Sequence, residues 1–203
     1  MGKEIIRVTN LGKNFGKTEI LHDINISVEE GEICGIVGRN GSGKTVLFKC
    51  ICGLLRASCG EIFVNAKDIG VIIEEPGFLK HYSGLKNLQY LAELSGKRDV
   101  NFKEILQIVG LWGDEKKRVG KYSLGMKQRL GIAQAIMENQ SILLLDEPMN
   151  GLDNQGVEDM RVLFQRLSDE GKTILLASHN RDDIDILCNH VYEMDRGYIK
   201  KIR

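Results

Sequence analysis

The sequence predicts an α/β fold: a mostly parallel sheet, an N-terminal antiparallel β subdomain and a helical insertion. Three observations carry this. Short apolar segments such as EICGIVG, ILLLD and KTILLAS alternate with helical ones, the pattern of a parallel sheet covered on both faces. The opening segments IIRV and EILHDINISV read differently, because alternation in ILHDINISV suits a sheet with one exposed face. Between about residues 76 and 121 strand-like runs give way to helical spacing.

Along the chain, EICGIVG leads into a glycine-rich turn and then a helix over KTVLFKCICGLL. EIFVN and IGVIIE are strand candidates, followed by helices over GLKNLQYLAELS and NFKEILQIVG. YSLGMKQRL opens a further helix, mostly buried, with Met126, Leu130, Ala133 and Met137 at helical spacing. Ser123 is a good N-cap there, with Gly125, Lys127 and Arg129 in the first turns. Free N–H groups at such a start favour an anion. ILLLD, a charged helix over VEDMRVLFQRLSDE and KTILLAS come next, and HVYEMDRGYIKKI reads as a hairpin turning at Asp195–Gly197.

With two prolines and no linker-like tract, residues 1–203 read as one domain. Its 28 basic and 28 acidic residues cancel, which argues against a general nucleic-acid binder and a polybasic membrane anchor. The five cysteines are irregularly spaced without paired CxxC units, so free thiols in a reducing cytosol are expected rather than a zinc site. MGKEIIRVTN lacks the apolar core of a signal peptide, and no stretch approaches the roughly 20 apolar residues of a membrane span. A membrane role would need other chains to do the spanning.

Gly38, Arg39, Asn40, Gly41, Ser42, Gly43, Lys44 and Thr45 match G-x-x-x-x-G-K-[ST], after an apolar strand and before a helix. In that context backbone N–H groups can face phosphates, Lys44 can reach the β- and γ-phosphates, and the Thr45 hydroxyl can bind Mg²⁺. The bland alternative, a glycine-rich turn, does not require this strand–loop–helix setting. Asp146 ends an apolar strand, where a carboxylate can hold the water shell of Mg²⁺. Glu147 follows it and can orient or deprotonate a water. Adjacent acids at a strand end are often only a solvated loop, but here they accompany a full phosphate loop. His179 sits at the tip of KTILLAS, a place where doubly wound sheets carry ligand contacts. Alone it would read as structural.

The phosphate loop, YSLGMKQRL, ILLLDEP, MNGLD and His179, in that order, resemble the ATP-binding-cassette ATPases over essentially the whole chain. The resemblance implies a P-loop NTPase core, ATP and Mg²⁺ as ligands, and ATP hydrolysis within a head-to-tail pair of cassettes, either homodimeric or with a related chain. Tyr122–Met126 align with a signature usually written Leu-Ser-Gly-Gly-Gln, so Ser123 and the amides near Gly125 would meet the γ-phosphate held by the partner. By the same likeness Asp153 links the two sites and Phe15 stacks on adenine. Glu74 stands where a glutamine usually senses Mg²⁺ and water. Leu124 and Met126 replace a glycine and a glutamine of the signature, while Val46, next to the phosphate loop, and Met149 replace threonines. Leu124 would spoil the phosphate contact only if its position required φ > 0.

IIEEP, YSLGMKQRL and LLLDEPMNGLD look like a bacterial branch that exports or confers resistance to peptide antibiotics such as bacitracin and lantibiotics. Members of that branch are typically longer at the C-terminus. The implied function is the ATPase subunit of a transporter, cytoplasmic on the inner face of the membrane, driving separate membrane-spanning permease subunits. The surface from Glu74 to Asn87, with Phe78, Leu79 and Tyr82, is either a docking patch or packing for the insertion. The competing readings are a soluble ATPase of this fold acting on ribosomes or DNA, and a regulatory module with little turnover.

Overall fold

Two long strands open the computed structural model, which describes residues 2–74, 76–97 and 99–203. Glu75, the second acid of IIEEP, lies outside the described residues. β1 (Glu4–Phe15) and β2 (Thr18–Glu29) pair antiparallel and reverse tightly, with Phe15 opposite Thr18. In β2 the side chains of Leu21, Ile24, Ile26 and Val28 are buried, and a register irregularity near Asp23 accounts for the broken alternation. β3 (Ile33–Val37) is buried throughout and runs into the glycine-rich turn and α1 (Lys44–Ile51). α1 is shorter than KTVLFKCICGLL suggests, because Gly53 turns the chain at a φ of 77°.

β4 (Cys59–Val64) joins the free edge of β1, completing a three-stranded antiparallel sheet in the order β2-β1-β4. β5 (Ile69–Ile72) then enters the large sheet. The helical segment follows with α2 (Gly84–Leu94), α3 (Phe102–Ile108) and a 3-10 turn over Val119–Lys121. Ser83 and Asn101 cap the two helices by accepting from the amides of Lys86 and Glu104. α4 (Leu124–Ile136) begins at Ser123, as its sequence suggests, and leads to β6 (Ile142–Asp146).

α5 (Asn154–Asp169) starts three residues before Val157, since the Asp153 carboxylate already caps it. β7 (Thr173–Ser178) is followed by α6 (Arg181–Leu187), a short helix the sequence reading did not anticipate. Asn180 caps it by accepting from the Asp182 amide at 3.0 Å, and its first turn carries Asp182 and Asp183, which complement the helix dipole. The chain closes with the expected hairpin of β8 (His190–Asp195) and β9 (Tyr198–Lys201). Arg196 and Gly197 both have positive φ, the geometry of a two-residue turn that matches strand twist.

The large sheet has the order β5-β6-β7-β3-β8-β9 and is parallel except for its last pair. Strand alternation divides its side chains between two cores. Ile142, Leu144, Leu175 and Ile36 face α1 and the antiparallel sheet, while Leu143, Leu145, Leu176 and Ile174 face α4, α5 and α6. Among the described residues, no helix is long and apolar enough to cross a membrane.

α5 shows how one helix face is specified. Met160, Leu163, Phe164 and Leu167 recur at helical spacing and are buried, whereas Val162 is exposed. Phe164→Ala removes a fully buried ring from the second core. It should destabilise the fold by about 3–5 kcal/mol, read from denaturant unfolding.

Candidate functional site

The loop Gly38–Thr45 leaves β3 and enters α1 through Gly43, whose φ of 112° places the helix start where a side chain would be strained. Gly38 is needed for a different reason: a Cβ there would lie 2.4 Å from the Met194 carbonyl oxygen of the closing hairpin. The hairpin also donates a backbone bond to the loop, from the Gly197 amide to the Ser42 carbonyl at 2.9 Å. The loop is thus held from behind by β8 and β9. An open groove of about 1010 Å³ runs along Gly38–Ser42 between His179 and hairpin residues Asp195 and Arg196, large enough for a nucleotide-sized ligand.

Lys44 is curled back on its own loop. Its ammonium donates to the carbonyls of Gly38 at 2.6 Å and Arg39 at 3.3 Å, and lies 3.4 Å from Glu147 Oε1. With only 5% of the side chain exposed, this charge depends on those oxygens for its solvation. Next to it, the Thr45 hydroxyl donates to Asp146 Oδ2 at 2.5 Å, joining α1 to the end of β6. Val46, the following residue, packs against the core shared by α1 and the antiparallel sheet.

Glu147 sits in left-handed backbone at φ 51° and is anchored by its own amide, which donates to the Ala177 carbonyl at 2.9 Å. Its carboxylate Oε2 is 2.8 Å from His179 Nδ1 and accepts a longer bond of 3.4 Å from Ser178 Oγ. Its carbonyl accepts from Gln128 Nε2 of α4 at 3.3 Å. A cavity of about 130 Å³ lies between Glu147, Ser178, His179, Asn180 and Asp183, with room for several waters. Behind it Asp183 is clamped by Arg161, whose Nη2 donates at 2.6 Å.

The remaining predicted positions surround this centre at different distances. Glu74, at φ 61°, gives its carboxylate to Lys49 Nζ at 2.6 Å. Phe15 is half-exposed at the end of β1, with Lys13 Nζ 4.8 Å from its ring centroid. Ser123 Oγ accepts from the Met126 amide at 3.2 Å, leaving the Leu124 and Gly125 amides without an acceptor among the described residues. Leu124 is the first residue of α4 and has no positive φ, so its side chain does not deny that amide to an anion. That side chain lies over Gly151, where a Cβ would come within 2.5 Å of it. Arg129 turns away from the helix start, to the Val109 carbonyl and Asp159.

Sequence reasoning missed Gln128, Ser178, Asp183 and Lys49. Ser178 alone left a local signal, as the residue just before His179.

Several buried oxygens in the site lack hydrogen-bond partners among the described residues: Ser42 Oγ, Asp146 Oδ1 and Glu147 Oε1. Burial pushes the Asp146 carboxyl above the ordinary aspartate range, against the Thr45 hydroxyl bond, which lowers it. Hydroxyl and carboxylate oxygens that burial penalises suit a hard divalent cation bound partly through phosphate and water. A cation held that way needs no protein cage. Among the described residues, no group of three or more His, Cys, Asp or Glu could hold a metal ion.

Residues 21–150 match the family described as ABC transporter. The bacitracin transport ATP-binding protein BcrA of Bacillus licheniformis is 42% identical over 206 residues, covering 95% of this chain and 67% of that protein. The lantibiotic transport ATP-binding protein SrtF of Streptococcus pyogenes is 33% identical, covering 96% and 89%. A crystal structure of a nucleotide-free ATP-binding cassette from an ABC transporter superposes with a TM-score of 0.85 at 28% identity, covering 98% and 91%. The chain belongs to the ABC transporter family. Within it, the chain is an ATP-binding subunit that hydrolyses ATP to power transport.

Asp146 yields a direct prediction. Its raised pKa means that the fold disfavours the ionised form, a cost present above that pKa and relieved as pH falls through it. Asp146→Asn should therefore raise the melting temperature of the nucleotide-free protein at neutral pH. The gain should shrink on acidification through the carboxylate range. Thermal unfolding followed across pH measures both.

Proposed function

We propose that Lys44, Asp146, Glu147 and His179 form one half of a composite ATPase site, completed by the signature helix of a second cassette. The observation that carries this reading is the convergence of Lys44 and His179 on the two carboxylate oxygens of Glu147, at 3.4 and 2.8 Å. Gly38–Val46 wrap the phosphates, and Lys44 leaves its loop carbonyls for the β- and γ-phosphates. Thr45, Asp146 and Glu74 would hold Mg²⁺, which would neutralise charge on the phosphates. Glu147 takes a proton from water as its oxygen bonds to the γ-phosphorus and the bond to ADP breaks. His179 keeps Glu147 oriented and faces the γ-phosphate.

In this reading Ser123 and the amides of Leu124 and Gly125 face the nucleotide on the other copy, and Asp153 joins the two sites. Phe15 stacks on adenine through the face that Lys13 leaves open. Residues 1–203 act as one cassette, with the helical subdomain at about 76–121 transmitting closure to membrane-spanning permease subunits at the inner face. The direction is export, and the cargo is a peptide antibiotic of the bacitracin or lantibiotic kind, a reading supported by what BcrA and SrtF transport.

Two substitutions test the chemistry. Glu147→Gln should lower turnover by about 10²–10⁴-fold while ATP binding persists and dimers accumulate. Unimpaired phosphate release would remove Glu147 from the mechanism. Lys44→Ala loses charge-assisted bonds worth about 1.5–3 kcal/mol, so ATP affinity should fall roughly ten- to a hundredfold in equilibrium dialysis. For the cargo, cells carrying the chain and its permease should withstand bacitracin or a lantibiotic, and the Glu147→Gln version should not.

A further inference from the structure

We infer that Lys49 is a positioning residue that holds the Glu74 carboxylate in reserve and competes with the divalent cation for it. The inference rests on the proposed approach of Glu74 to the metal. Three features bring the idea out of the geometry. Lys49 Nζ lies 2.6 Å from Glu74 Oε1. Lys49 also stands four residues after Thr45 on α1, so both project from one face of the helix. Thr45 in turn is bonded to Asp146 at 2.5 Å. The Lys49 ammonium and the Thr45 hydroxyl are therefore presented by neighbouring turns of one helix, with Asp146 brought in from the end of β6, and Glu74 is close enough to Asp146 to help raise its pKa.

An acid at position 74 has a consequence that an amide would not. It adds a third negative charge beside Asp146 and Glu147, and that charge needs a counterion before a cation is present. Lys49 supplies it. The pair is partly solvated, with Glu74 63% and Lys49 27% exposed, so it is weak enough to be given up when a doubly charged ion arrives. Glu74 then changes partner from an ammonium to a metal-bound water, which a carboxylate can accept from. Lys49 thereby sets how much divalent cation is needed to engage the site.

The test measures Mn²⁺ binding by electron paramagnetic resonance on the full chain with a non-hydrolysable ATP analogue. It uses Lys49→Gln, Glu74→Gln, the double variant and Lys49→Arg. Lys49→Gln should tighten Mn²⁺ about three- to fivefold and Glu74→Gln should weaken it, while the double variant should match Glu74→Gln. Lys49→Arg keeps the counterion and should stay near the wild type, separating this role from helix packing. If Glu74→Gln shifts Mn²⁺ affinity but Lys49→Gln shifts it equally in both backgrounds, or not at all, the Lys49 inference is overturned and the role of Glu74 stands. If Glu74→Gln leaves Mn²⁺ affinity unchanged, the reading of Glu74 fails and the inference falls with it.

Discussion

Three adjacent parallel strands ending at one level are the constraint on which the site depends. Val37 is in register with Ser178, and Asp146 with Ala177, so β3, β7 and β6 deliver the phosphate loop, His179 and the two acids to a single edge. Slippage by one residue would exchange the two faces of a strand, and here both faces are packed by different apolar cores. The register is therefore fixed by burial far from any ligand. Chemistry at the edge inherits a precision it does not have to provide for itself.

That dependence separates what could be read in the chain from what could not. The strand–loop–helix around Gly38–Thr45, the acids ending ILLLD and the Ser123 cap are local patterns, in which neighbours in sequence are neighbours in space. The mostly parallel sheet and the closing hairpin were legible for the same reason. α6 was not, because seven residues give too few turns for a periodic signal and its stability comes from the Asn180 cap and packing on the sheet. Nor could spacing reveal that Gln128 reaches the carbonyl of Glu147, that Arg161 clamps Asp183, or that Arg129 leaves the helix start for Val109. Each of those pairs is joined only by the tertiary fold.

Leu124 gains its meaning from the same distinction. As a departure from a glycine it looks like a loss of backbone freedom, yet the helix start it occupies asks for none. What the side chain does is cover Gly151, tying the beginning of α4 to the loop that leads to Asp153. Two segments distant in sequence form one surface patch. A displacement of either must be felt by the other, since the contact leaves no room for a side chain at position 151.

The left-handed backbone at Glu147 has a consequence for how this sequence can change over time. Such a conformation favours glycine or asparagine and costs other residues on the order of 1 kcal/mol or more. Random substitution filtered only for a stable fold would drift away from glutamate at this position. A glutamate at this position is thus seated against the folding preference of its own backbone. The strained torsion is as informative as the carboxylate it carries.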